Sequence, residues 1–210
     1  MKTINFFILI VLLLGMINCK NDDSFPETNY VNAKGFLKEV KSDSSNEFFI
    51  SGEFDGINIY CTSTFSELYP YHDTVYNAYY FNSSGLDQIT LMRENYERSV
   101  EIEIYFLQSD IFNRQLPYKM PHDNLATGEY VQISLLNKKK LGTAVQNSTE
   151  DDFTFSGYSF NTMKIKVTSI MDNILEGTFE GSLITRSGYD RIIVKNGKFR
   201  TKIKVVELGI

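Results

Sequence analysis

The chain has 210 residues, with 21 lysines and arginines against 26 aspartates and glutamates, and carries a formal charge of −5. This length suits one sizeable domain. The acidic balance argues against a nucleic-acid partner, because binding to a phosphate backbone needs a basic face.

The N-terminal segment has the pattern of an export signal. Lys2 and the terminal amine supply positive charge, and residues 4–17 are almost wholly apolar. As a helix these residues would reach only about 21 Å at about 1.5 Å per residue. The hydrocarbon core of a bilayer needs about 30 Å. We therefore predict a cleaved signal peptide over residues 1–18 rather than a permanent transmembrane span.

The end of the apolar segment and the residues after it resemble segments of bacterial lipoproteins. The sequence Gly15-Met16-Ile17-Asn18-Cys19 resembles the lipobox of bacterial lipoproteins. The resemblance implies that Cys19 receives a lipid anchor that holds the protein to a membrane; the alternative is an ordinary signal peptide with an incidental cysteine. The next residues resemble the export tag of Bacteroidota surface lipoproteins, carried here by Lys20, Asp22 and Asp23. The tag implies a place in the cell envelope, on the outer membrane and facing outward.

The start of the folded body is predicted from a change in composition. Residues 20–29 are polar apart from Phe25 and Pro26, so we predict a lipidated, flexible tether over residues 19–29. Residues 30–210 are predicted to form one domain. Its first segment, residues 30–41, fits a strand or a short helix equally well.

Regular alternation of apolar and polar residues begins at residue 48. Segments 48–54 and 57–61 flank Asp55-Gly56, a pair that tolerates the positive φ angles of a tight hairpin turn. In residues 99–107 the apolar set is Val100, Ile102, Ile104 and Phe106, and the opposite set is Glu101, Glu103 and Tyr105. This period of two predicts a strand, with both glutamates on a solvated face.

Further strand patterns continue to the C-terminus, with one turn of helix at residues 110–115. They cover residues 74–81, 86–92, 128–136, 152–158, 162–170, 175–185, 189–194 and the last strand around Phe199. Roughly nine to eleven short strands with frequent turns are typical of a sandwich or a barrel. We predict an all-β fold, a single antiparallel β-sandwich of jelly-roll or immunoglobulin-like type.

Three polar segments in the second half of the chain predict local features of the fold. Residues 138–140 are three lysines, which we predict to form a solvated turn. In the last strand Arg200, Lys202 and Lys204 alternate with apolar residues, which predicts a solvent face at a sheet edge. Asn196-Gly197 fits a hairpin turn or a bulge.

The C-terminal third carries a second resemblance. Gly177-Thr178-Phe179-Glu180-Gly181 and Asn196-Gly197-Lys198-Phe199 are similar to the "G-T-F-x-G … N-G-x-F" pattern of many uncharacterised Bacteroidota lipoproteins. In those proteins the pattern closes a β-sandwich. The resemblance supports a fold and names no activity.

The sequence contains no recognisable catalytic or cofactor motif. Phosphate-binding loops, zinc-protease spacings, calcium loops and nucleophile elbows are all missing from it. We therefore predict no catalytic residue, no metal and no cofactor. Cys61 is predicted to be a buried core thiol, since free cysteine is among the most often buried residues.

The densest aromatic segment supplies the candidate ligand site. Tyr69, Tyr71, His72 and Tyr76 lie within it, and aromatic faces with a polar tip suit sugar or protein recognition; packing in the core is the alternative. The sequence favours a non-catalytic binding module for a glycan or an envelope protein. The alternatives are an accessory subunit of an outer-membrane complex and a hydrolase whose dispersed site draws on Glu101, Glu103 or Asp73.

Overall fold

The structure is a computed structural model that describes residues 33–64, 78–83, 86–107, 110–120, 128–139, 154–159, 161–185, 188 and 190–207. The predicted signal peptide and tether lie outside these residues, and with them Cys19, Lys20, Asp22 and Asp23. The predicted aromatic site also lies outside them, with Tyr69, Tyr71, His72 and Tyr76. None of the helices in the described part of the chain has the length and apolar character needed to cross a membrane.

The described residues form strands almost throughout. Two short 3₁₀ helices occupy Ala33–Glu39 and Ile111–Asn113. The strands are β1 Phe49–Phe54, β2 Ile57–Cys61, β3 Ala78–Ser83, β4 Leu86–Glu94, β5 Val100–Leu107, β6 Tyr118–Met120, β7 Tyr130–Asn137, β8 Thr154–Tyr158, β9 Met163–Met171, β10 Ile174–Ile184, β11 Arg191–Lys202 and β12 Lys204–Glu207.

All twelve strands belong to one hydrogen-bonded sheet, and the predicted all-β fold is confirmed. The main path runs β12-β3-β4-β5-β7-β8-β10-β11-β1-β2, and β9 attaches β6 to β10. Every pair is antiparallel except β12 with β3. An isolated bridge between Ser63 and Glu94 joins the chain after β2 to β4, so two distant strands of the path meet.

A tight turn with positive φ sets the register of the first hairpin, formed by β1 and β2. Asp55 and Gly56 have φ of 47° and 83° between β1 and β2, which confirms the predicted hairpin. The Asp55 carboxylate also accepts a 2.7 Å hydrogen bond from the Ile193 amide and a 2.9 Å bond from Lys34 Nζ. One turn residue therefore ties the hairpin to β11 and to the first 3₁₀ helix.

One face of the sheet encloses the apolar core. Ile102, Ile104 and Phe106 of β5 are fully buried on that face, as their alternation predicts. Cys61 is fully buried too, and burial, together with nearby carboxylates, raises the pKa of its thiol well above the usual value. The prediction of a core thiol is confirmed.

The C-terminal strand differs from its predicted place. Residues 191–194 and the first part of the predicted last strand form one continuous strand, β11, because Asn196-Gly197 forms a bulge rather than a turn. The prediction of a sheet edge is wrong for Arg200 and Lys202, since β11 pairs with β10 on one side and β1 on the other. It is confirmed for Lys204, which begins β12, the strand that ends the path of the described sheet next to β3.

The glycines of the C-terminal pattern lie under aromatic rings of the paired strand. Gly177 pairs with Phe199, and Gly197 pairs with Phe179. A Cβ added to Gly177 would lie 2.3 Å from Phe199 Cζ, and one on Gly197 would lie 2.5 Å from Phe179 Cδ2. Each ring therefore occupies the space that a side chain would need, which explains why glycine and phenylalanine alternate here.

Candidate functional site

The described residues offer a groove on the sheet face opposite the apolar core. We call it the β5–β8 groove, and its volume is about 570 Å³. That size falls within the range of ordinary small-molecule sites. Its lining consists of Glu103, Gln132, Ser134, Leu136, Thr154, Ser156, Tyr158, Ile184 and Thr185.

The strand register places the polar side chains of the groove in rows. Glu103, Ser134 and Ser156 lie directly opposite one another on β5, β7 and β8. One step along, Gln132 of β7 lies between Tyr105 and Tyr158. Directly opposed side chains share one face of a sheet, so alternation along three strands is enough to build this surface.

A network of neutral polar groups forms the floor. Gln132 Nε2 donates a 3.0 Å hydrogen bond to Ser134 Oγ and a longer one of 3.4 Å to Ser156 Oγ. The two serine hydroxyls are hydrogen-bonded to each other with their oxygens 2.9 Å apart, and either hydroxyl can be the donor. A hydroxyl both donates and accepts, so this floor can exchange its internal bonds for bonds to a ligand hydroxyl.

Three tyrosines border the same surface. The rings of Tyr105 and Tyr130 have centroids 6.2 Å apart, and Tyr130 lies 6.2 Å from Tyr158. Burial, with the neighbouring Tyr130, raises the pKa of Tyr105 above its usual value. Tyr158 lines the groove itself and so offers an aromatic edge with a hydroxyl tip next to the polar floor.

A buried ion cluster lies on the same face, beside the groove. Lys138 Nζ is 2.7 Å from Glu94 Oε1 and 2.9 Å from Glu101 Oε2, and both glutamate side chains are 2 % exposed. The prediction that Glu101 lies on a solvated face is therefore wrong, as is the prediction that Lys138 belongs to a solvated turn. Glu101 is directly opposite Glu94 across β4 and β5, and the single ammonium group of Lys138 contacts both carboxylates.

Burial dominates the titration of this cluster. It raises the pKa of Glu94 to about 7, although Lys138 acts in the opposite direction. Burial and a hydrogen bond with Glu103 raise the pKa of Glu101. Burial lowers the pKa of Lys138, but its two glutamate partners outweigh burial and raise that pKa above the usual value.

Arg93 is a buried cation on the core face that the sequence did not single out. It is opposite Ile102 and 2 % exposed, and its Nη1 donates a 3.2 Å bond to the Thr62 carbonyl. Its guanidinium carbon lies 6.0 Å from the centre of the Phe48 ring. Burial lowers its pKa to about 10. These contacts hold the segment after β2 against β4, next to the Ser63 bridge.

Metal binding has no support within the described ranges. No group of three or more His, Cys, Asp or Glu side chains there is arranged to hold a metal ion.

The alternation of polar and apolar residues could have identified most groove residues. Glu103 on β5, Gln132 and Ser134 on β7, and Tyr158 on β8 all point away from the core. Alternation could not show that β5, β7 and β8 are neighbours in the sheet.

Comparisons with known protein families, with characterised proteins and with solved structures found no match for this chain.

Proposed function

We propose that this protein is a non-catalytic binding module of the cell envelope whose β5–β8 groove takes a neutral oligosaccharide. The observation that carries the proposal is the uncharged hydrogen-bonding floor of Gln132, Ser134 and Ser156 beside Tyr158.

The chemistry of the groove matches that of a sugar. A sugar ring presents hydroxyls that donate and accept hydrogen bonds, and the groove offers an amide and several hydroxyls that do the same. A sugar also has an apolar face of C–H groups, for which a tyrosine ring is a suitable partner. Among the lining residues that the structure describes, Glu103 alone is charged, which favours a neutral ligand over an ionic one.

The N-terminal pattern supports the envelope location in this proposal. Lipid on Cys19 would hold the module to the outer membrane, and the tag of Lys20, Asp22 and Asp23 would send it to the outer face. A module on the outer face would be directly accessible to extracellular glycans. An envelope protein is the alternative partner.

The carboxylates favour binding over hydrolysis. A glycosidase needs two carboxylates on the two sides of the scissile bond. Glu103 lines the groove, whereas Glu101 and Glu94 are buried and bound to Lys138. Within the described part of the lining, Glu103 therefore has no second carboxylate beside it.

The test is binding of the purified full-length protein, in mild detergent, to an array of neutral oligosaccharides, followed by calorimetry on the best ligand. Gln132→Ala and Tyr158→Ala should each weaken binding about fivefold to thirtyfold, since each removes an interaction of about 1–2 kcal/mol. The matched controls are Gln115→Ala and Tyr96→Ala, both on exposed side chains outside the groove. An array without any binding, or equal losses in the groove variants and controls, would contradict the proposal.

A further inference from the structure

A second groove lies elsewhere on the sheet and differs from the first in charge. Its volume is about 750 Å³, and it shares no lining residue with the β5–β8 groove. Its described lining residues include four lysines and one glutamate, in a chain whose formal charge is −5. The lining comprises Lys119, Met120, Lys164, Ile165, Lys166, Thr178, Phe179, Glu180, Asn196, Gly197 and Lys198.

Three of these lysines form a line across four strands, which we call the lysine row. Lys119 of β6 is opposite Lys166 of β9, and Lys166 is opposite Thr178 of β10. Thr178 is in turn opposite Lys198 of β11. With strands about 4.8 Å apart, the row extends for about 14 Å along the surface.

The lysine row lacks the glutamates that neutralise its neighbours. On one side Lys164 pairs with Glu180 at 3.5 Å, and on the other Arg200 forms a close ion pair with Glu176. Within the described residues, the lysines of the row form no ion pair. Like charges directly opposite each other, such as Lys119 and Lys166, destabilise a sheet. The row therefore costs stability unless an anion binds there.

Protection of a sheet edge explains only one member of the row. β6 pairs with β9 alone, so Lys119 belongs to an edge strand, where lysine discourages pairing with other chains. β9 and β11 each have partners on both sides, so Lys166 and Lys198 need another explanation.

The shape of the site limits what the anion can be. Met120, Ile165 and Phe179 are neighbours of the row along the strands, so they point to the opposite face of the sheet, where they are almost fully buried in the core. The lysines are flexible point charges, and none of the lining residues that the structure describes is an arginine whose fork could grip a single small anion. A line of separated cations along one groove suits a chain of sugars that carries acidic groups at intervals.

We propose that the lysine row binds a linear acidic polysaccharide, with Lys119, Lys166 and Lys198 each facing a carboxylate or sulfate group. A membrane surface is flat and would not enter a groove. A nucleic acid would meet the net negative charge of the rest of the chain, which opposes a phosphate backbone. This site is separate from the β5–β8 groove and does not depend on the neutral-sugar proposal.

The experiment measures binding of the full-length protein to chondroitin sulfate, a linear polymer with both carboxylate and sulfate groups, and to neutral dextran. The triple variant Lys119→Gln, Lys166→Gln, Lys198→Gln should bind chondroitin sulfate about tenfold more weakly or worse, since three charge contacts are lost. The matched control, Lys38→Gln, Lys139→Gln, Lys195→Gln, removes the same charge from exposed positions outside the groove. It should keep its affinity.

The predicted pattern also includes weaker binding at high salt, because exposed charges are screened. No binding to chondroitin sulfate, or equal losses in the two triple variants, would each overturn the proposal. Tighter binding of single-stranded DNA or of anionic lipid vesicles would overturn it too, by assigning the row to a different class of partner.

Discussion

At the scale of single residues, the buried cluster of Glu94, Glu101 and Lys138 links folding stability to pH. Two carboxylates lie directly opposite each other and are almost completely buried, with one ammonium group between them. One positive charge cannot fully neutralise two negative charges in a poorly solvated site. A proton on Glu94, whose pKa rises to about 7, relieves the imbalance.

This cluster should make the protein less stable as the pH rises. Glu94 holds its proton more tightly when folded, so its contribution is fully present below the ordinary glutamate pKa and is lost as the pH rises through about 7. Between about pH 5 and about pH 8, wild type should lose on the order of 2 kcal/mol of unfolding free energy relative to Glu94→Gln. Urea unfolding of both proteins across this range measures the difference. Parallel pH profiles for the two proteins would refute this role for Glu94.

The sequence could assign faces to these residues but not their surroundings. Alternation correctly placed Ile102, Ile104 and Phe106 in the core. It also put Glu101 on the opposite face, which is correct, but that face is covered at Glu101 and open at Glu103. Burial of that kind depends on which distant segments pack there, and a local period of two carries no information about them.

At the scale of elements, the pairing of β10 with β11 depends on reciprocal glycine and phenylalanine contacts. Phe199 covers Gly177, and Phe179 covers Gly197, so each ring fills the space above a residue without a side chain. The bulge at Asn196-Gly197 adjusts the register between the two contacts. The resemblance at the C-terminus identified these residues, and the register explains their spacing.

Gly177→Ala should therefore destabilise the protein by about 1–3 kcal/mol, the usual cost of overpacking a core. Its Cβ would lie 2.3 Å from Phe199 Cζ and 2.4 Å from the Lys166 carbonyl oxygen. Gly35→Ala is the matched control, because a Cβ there meets nothing within 4 Å. Urea midpoints compare the two variants. A similar midpoint for both would show that the close contact at Gly177 carries no energetic weight.

Local turn chemistry made some elements predictable and others not. Asp55-Gly56 joins two strands of matching alternation, and the hairpin followed from the sequence. Asn196-Gly197 has the same kind of turn residues, yet the chain continues through it as one strand because β10 and β1 pair with both halves. Long-range pairing decided between the two outcomes that the local residues allowed.

At the scale of the whole molecule, one sheet presents two grooves of different chemistry. One has a neutral polar floor and a tyrosine, and the other has the lysine row. The all-β class was predictable from alternation and turn residues. The strand order was not, since pairs such as β5 with β7 and β3 with β12 join segments that have no shared local pattern.

The ligands that either proposed site can reach depend on where the protein is anchored. Lipid on Cys19 is proposed to anchor a folded module outside the cell, with a short polar segment between lipid and sheet. One acyl chain binds a membrane only marginally, so stable anchoring needs the several chains that the lipoprotein resemblance implies.

The most direct test of this anchored-module account is detergent phase partitioning of the protein from cells that express wild type, Cys19→Ser or Cys61→Ala. Wild type and Cys61→Ala should enter the detergent-rich phase, because Cys61 is a buried core thiol and has no part in anchoring. Cys19→Ser should move to the aqueous phase. Retention of Cys19→Ser in the detergent phase, at the level of wild type, would contradict the account.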